Sequence, residues 1–169
     1  MITLYVDIMK RIMIIALALM VCAVSFAQNG KYMYNKYSDS EGVSAVYISN
    51  AMFRMIGKLP EMEIGDDELD ISGIVKQLDG MYVVSSTNPK VNENLRKDIA
   101  QLLKEGKYEL LLEAKQDGET VRMYTIGDKL TISTFMLTAF DKDEVTYICF
   151  DGRMDREEFE RLMAESRKD

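Results

Sequence analysis

Histidine and tryptophan are both missing from this 169-residue chain, and cysteine and proline occur only twice each. Without histidine there is no Ser-His-Asp or Cys-His catalysis and no histidine-containing zinc site. The usual general base near neutral pH is gone as well. There is no phosphate-binding P-loop and no dinucleotide fingerprint. Positive charge is also scarce: 21 Lys and Arg stand against 28 Asp and Glu, a net charge of −7. An acidic body repels phosphate backbones, and no basic stripe offsets it, so nucleic acid is excluded as a partner.

The chain has one long apolar run. Ile12–Val24, 13 residues, follows the basic pair Lys10-Arg11. A membrane-spanning helix needs ~20 residues, whereas the apolar region of a secretory signal needs ~7–15. The run ends in Ser25-Phe26-Ala27, with small residues where a signal peptidase reads. Residues 1–27 are therefore expected to be a signal peptide cut after Ala27, with no transmembrane helix in the mature chain. Met9 is the expected true start, because Met1–Ile8 adds Asp7 and no base. Leu19 and Cys22 have the spacing of a lipobox, but Val21 is larger than the residue that usually precedes a lipidated cysteine, so lipidation at Cys22 is not the expected route. The expected location is exported, either periplasmic or envelope-associated.

Removing residues 1–27 leaves 142 residues and a net charge of −8. That is one domain's worth, enough to bury about 70% of its unfolded surface without staples. Only Cys149 remains, so no intrachain disulfide forms. It lies in Val145–Phe150, which reads as a strand, and is expected to be a buried, inert thiol. A nucleophile would need a base or positive field beside it.

Residues 28–42 read as a polar, partly packed leader segment carrying Tyr32, Tyr34 and Tyr37, and residues 43–167 as one α+β domain. Val43–Ile48 is a β-branched strand. Met52, Met55, Ile56 and Leu59 follow helical spacing up to Pro60, with Ser49 as cap. Ile71, Ile74, Val75 and Leu78 repeat that spacing. Asp79-Gly80 reads as a turn before the strand Met81–Ser86. Asn88-Pro89 starts a helix over 89–105, with Gly106 at the expected left-handed C-cap. Tyr108–Gln116 and Glu119–Gly127 flank Asp117-Gly118, the strongest short hairpin signal. Leu130–Phe140 and Val145–Phe150 complete a meander. Asp155 and Glu158 have capping-box spacing ahead of a helix burying Phe159, Leu162 and Met163. The expected fold is a single mixed, largely antiparallel sheet of about six strands with helices mainly on one face. The strands are expected to leave Tyr, Thr and Ser on its other face, which is either solvated or a binding surface.

Tyr37–Ser49, with Gly42 inside it, then Met52-Phe53 and Leu78–Ser85, resemble the family catalogued as domain of unknown function 4252, exported proteins mainly of Bacteroidetes. The resemblance spans nearly the whole mature chain. Its motifs are hydrophobic patterns with a glycine, so they specify fold more than chemistry, and it implies no assigned catalytic residues. Many members are lipoprotein-like, from which Val21 departs. Some are encoded beside alternative sigma factors, which implies a link to envelope signalling.

Several constellations invite a chemical reading, and each has a simpler one. Glu61–Asp70 holds six acids in ten residues, but lacks the alternating ligand spacing and central glycine of a calcium loop. Asp141, Asp143 and Glu144 read as a charged turn. Met52, Met55 and Met62 would suit Cu(I), though core packing accounts for the first two. Ser72 and Lys76 have dyad spacing with no sign of an oxyanion hole. Tyr32, Tyr34, Tyr37, Tyr47 and Tyr82 would make a recognition surface if they were not packed. No catalytic, cofactor or metal residues are assigned. The leading expectation is a non-enzymatic interaction module with a protein partner in the envelope. A small-ligand-binding or sensing module and an acid-only hydrolase are the other classes.

Overall fold

The computed structural model describes residues 29–56 and 72–165. The predicted signal peptide, the acidic run 61–70, Leu59, Pro60, Met62 and Ile71 lie outside the described residues. Five helices and six strands follow one another among them: α1 (Asn29–Tyr37), β1 (Val43–Ser49), α2 (Asn50–Ile56), α3 (Ser72–Lys76), β2 (Leu78–Ser86), α4 (Pro89–Glu105), β3 (Glu109–Gln116), β4 (Glu119–Gly127), β5 (Thr131–Phe140), β6 (Val145–Asp155) and α5 (Arg156–Glu165). The strands form one sheet in the order β1-β2-β6-β5-β4-β3. Every neighbouring pair is antiparallel. The fold is α+β.

Local chemistry explains several element ends. Asn88 accepts from the backbone N–H groups of Lys90 and Val91, and Pro89 opens α4. Ser49 Oγ accepts from Met52 N at 3.3 Å at the start of α2. Asp155 Oδ1 accepts from Glu158 N at 2.9 Å at the start of α5. Asp117 and Gly118 both adopt positive φ, 51° and 92°, as the tight turn between β3 and β4 requires.

Two buried clusters hold the molecule together. The first lies under α1 and α4 on one sheet face: Met33, Tyr37, Leu95 and Ile99 pack on Val84, Tyr124, Met136, Val145, Tyr147 and Cys149. The second joins α2, α3 and α5 at one end of the sheet and onto its other face. There Phe53, Leu78, Ile132, Met154 and Phe159 are buried, with Met81, Phe135 and Phe150 against them.

The leader segment, expected to be partly packed, forms helix α1, which buries Met33 at 0% and Tyr37 at 4% exposure; three other local expectations are corrected. Gly30 in that helix sits so close to the sheet that a Cβ would lie 2.5 Å from Tyr82 Cδ2 and 3.0 Å from Asp151 Oδ2. Helix α2 turns the other way round from the methionine stripe: Phe53 is buried, while Met52 and Met55 are exposed. Asp79-Gly80 is not a turn but part of β2, where a register shift between Leu78 and Gly80 absorbs the extra residue. Gly106 is extended, at φ −88° and ψ 161°, rather than left-handed, and its N–H closes the helix onto Leu102 O.

Candidate functional site: an open sheet face

Strand register decides which side chains share a face. Val46 pairs with Val83, Val83 with Ile148, Ile148 with Leu137, Leu137 with Met123, and Met123 with Leu112. These six residues form a straight row across all six strands on the face away from α1 and α4. One end of that face is filled by Met81, Phe150 and Phe135 beneath the second cluster. The row itself belongs to neither buried cluster among the described residues. Its residues are half-buried, and Val46 at the sheet edge is 47% exposed. On the far side of the row stand Ser85, Thr146, Ala139 and Val121, in register.

Beyond these the face ends in carboxylates. A shallow recess of about 240 Å³ is lined by Glu119, Ala139, Asp141, Glu144 and Thr146. Glu144 accepts hydrogen bonds from Ser85 Oγ and Thr146 Oγ1. The backbone of this turn is tied to α4. Asn92 Nδ2 donates to Asp143 O at 2.9 Å, and Arg96 donates to the carbonyls of Asp141 and Glu144. Asp141, Asp143 and Glu144 thus form a charged turn. No cluster of histidine, cysteine or carboxylate that would hold a metal ion occurs among the described residues.

A second concavity lies between α1 and α4. This groove of about 440 Å³ is lined by Lys36, Tyr37, Ser40, Lys90, Val91, Asn94, Lys97 and Asp98. Asp98 Oδ2 accepts from Lys36 Nζ at 2.5 Å and from Tyr37 OH at 2.6 Å. The bond to Asp98 raises the Lys36 pKa. Burial, then Asp98, pushes the Tyr37 phenol well above its ordinary value.

Under α1, Asp151 is buried on β6. Thr134 Oγ1 donates to it at 3.0 Å, and Cys149 Sγ lies 3.6 Å away. Burial raises the Asp151 pKa, against the hydrogen bonds that favour its charge. Burial and the neighbouring Asp151 drive the Cys149 thiol well above its ordinary value. A thiol so placed is the opposite of an activated nucleophile.

The tyrosines divide. Tyr37 and Tyr82 are buried, and Tyr32 and Tyr47 exposed. Tyr47 stacks on Tyr82 with ring centroids 5.0 Å apart, and Tyr34 tilts against both. Burial, then Tyr47, pushes the Tyr82 phenol up to about 12. Met52 and Met55 remain on an exposed helix face, while Met62, their third thioether, is outside the described residues. Lys76 is exposed in α3. The six-residue row was not singled out from the sequence. Its signal was the alternation within each strand, but only register aligns the six positions.

An antiparallel sheet backed by helices, with an uncharged row that no described element covers on its other face, defines a class: a small α+β domain. The family model for a domain of unknown function, DUF4252, matches residues 34–162, well over half of the chain, and the chain belongs to that family. No curated protein and no solved structure matches it. No helix among the described residues is long and apolar enough to cross a membrane.

Proposed function

We propose that this protein is an exported, non-enzymatic interaction module of the cell envelope that holds a partner protein on the open half of its sheet. The row Val46–Val83–Ile148–Leu137–Met123–Leu112 carries this reading. Six strands at ~4.8 Å spacing extend it over about 24 Å. A contiguous row of partly exposed apolar side chains that no described element covers is the kind of patch that supports an interaction site. The rim of Glu119, Asp141 and Glu144 sets the partner's chemistry: an apolar segment flanked on one side by lysine or arginine. A docking role needs no histidine, paired cysteines or phosphate loop. It also suits the envelope signalling that the family resemblance implies.

The test is a pull-down of the tagged protein from its own envelope fraction, read by mass spectrometry beside Ile148→Asp and Glu144→Lys variants. A stoichiometric protein retained by the wild type, lost with Ile148→Asp and weakened by Glu144→Lys is the expected result. A clean bait, or a partner indifferent to both substitutions, overturns the reading. So does turnover of an envelope-derived substrate that a defined residue pair abolishes.

A second reading, small-ligand binding or sensing, is favoured by the α1–α4 groove, whose size of about 440 Å³ falls in the range of ligand sites. Thermal-shift screening with small anions tests it, since Lys36, Lys90 and Lys97 outnumber Asp98 in its lining.

A further inference from the structure

The two edges of the sheet are built differently. β3 carries Glu109, Glu113 and Lys115 and is broken by a register shift between Leu110 and Leu112. Charges and bulges are how edge strands avoid pairing with other chains. β1, at the opposite edge, reads Val-Ser-Ala-Val-Tyr-Ile-Ser, with no charge, no proline and an unbroken register against β2.

The hydrogen-bonding phase of β1 follows from one bond. Thr87 N donates to Gly42 O at 3.1 Å, just outside the pair Val43↔Ser86. That makes Val43↔Ser86 a non-hydrogen-bonded pair. Alternation then assigns the inward ladder bonds to Ser44, Val46 and Ile48. The N–H and C=O groups of Ala45 and Tyr47 therefore point outward, and no described residue pairs with them. The side chains alongside are accessible: Val46 is 47% and Tyr47 48% exposed.

We infer that two copies of this chain join antiparallel through β1, about a two-fold axis at Val46, into one continuous twelve-stranded sheet. The sequence of the edge is self-complementary about that axis. Ala45 faces the second copy's Tyr47 and Tyr47 faces the second copy's Ala45. Each such pair exchanges two N–H···O bonds, so all the outward groups of these residues are satisfied at once. On one face the small Ala45 leaves room for the second copy's Tyr47 ring. On the other, Val46 meets its own copy as a close non-hydrogen-bonded pair, the geometry in which β-branched side chains touch best. The apolar rows of the two subunits, each ending on Val46, run together there. Charge also matches: Asp39 and Glu41 precede β1, and Arg54 is the one charged residue of α2, which follows it. Antiparallel pairing brings these opposite ends together.

A strand junction is small beside the roughly 1,600 Å² of a standard interface, so dilution dissociates it. The experiment is sedimentation velocity over a dilution series, on the protein as its host processes it. The wild type is expected to shift from dimer to monomer. Val46→Lys and Val46→Glu, each placing like charges side by side on the axis, are expected to be monomeric throughout, and an equimolar mixture of the two is expected to form a 1:1 heterodimer. Ala45→Pro removes an outward N–H and none of the inward ladder, a substitution edge strands accept, and it too abolishes the dimer. It carries the same readout should the charged variants unfold. A wild type monomeric at every concentration overturns the inference. So does a dimer untouched by Val46→Lys, a folded mixture that stays monomeric, or a foreign peptide bound one-to-one along β1. Partner capture on the sheet face is read separately through Ile148→Asp.

Discussion

Replacing Met33 with alanine tests whether α1 is part of the core. Met33 is fully buried in the cluster with Tyr37, Leu95 and Ile99. Alanine is at least as good a helix former as methionine, so helix propensity does not oppose the change. The cost is then the lost burial plus the cavity left behind, 2–5 kcal/mol for methionine-to-alanine changes in cores. We take about 3 kcal/mol, a large share of the ~5–15 kcal/mol that stabilises an ordinary domain. In a domain of this size the melting temperature falls by about 10 °C. Urea unfolding gives the measurement, with the slope unchanged and the midpoint lowered. Tyr32→Ala, on the exposed side of the same helix, is the control and should stay within about 0.5 kcal/mol. A Met33→Ala loss under about 1 kcal/mol, or a separate early transition for α1, would refute the reasoning and mark residues 29–37 as loosely attached.

Other outcomes follow from the same structure. Phe53→Ala should cost about 3–5 kcal/mol in denaturant unfolding and Met55→Ala under about 0.5, the reverse of what the methionine spacing implies. Asn88→Ala removes the cap of α4 and its Nδ2 bond to Glu41 O, and should lower stability by about 1 kcal/mol or more in the same assay. Cys149 should resist a thiol reagent in the native protein and label only as fast as the domain unfolds, because it is wholly buried with a raised pKa. Asp151 has a folded pKa above its ordinary 3.8, so its contribution to stability is full below that value and is lost as pH rises through the folded one. Chemical unfolding of wild type and Asp151→Asn should therefore diverge in favour of the wild type toward acid pH. A pH-independent difference would count against burial as the dominant cause.

What could be read ahead and what could not divides along physical lines. Helix α4 has a side-chain cap, a proline at its first position and an apolar face from Val91 to Leu103, and each signal is local. The Asp117-Gly118 hairpin is local too, since its residues alone tolerate the required φ. Helix α1 escaped because only Met33 and Tyr37 mark its buried side in a polar segment, and nine residues carry little periodicity. Asp79-Gly80 misled because the dipeptide that favours a turn also suits a bulge. In α2 two methionines at helical spacing outvoted a phenylalanine between them, and the neighbouring elements chose the phenylalanine. The candidate site was foreseen only as a second sheet face, and its members were partly misassigned: Tyr, Thr and Ser were expected there, but register puts the apolar row there and turns Tyr47 and Tyr82 to the helix-covered face.

By itself the sequence excluded histidine chemistry, set the acidic charge, carried the family's pattern and placed nearly every strand. These depend on residue identity and on neighbours a few positions away. Tertiary structure alone decided that Val46, Val83, Ile148, Leu137, Met123 and Leu112 stand in one row, that β1 is an edge, and that Asp151 is buried beneath Gly30. Each of these joins residues from distant parts of the chain. Strand order and register supply that information, because a shift of one residue would turn any strand's side chains to the opposite face.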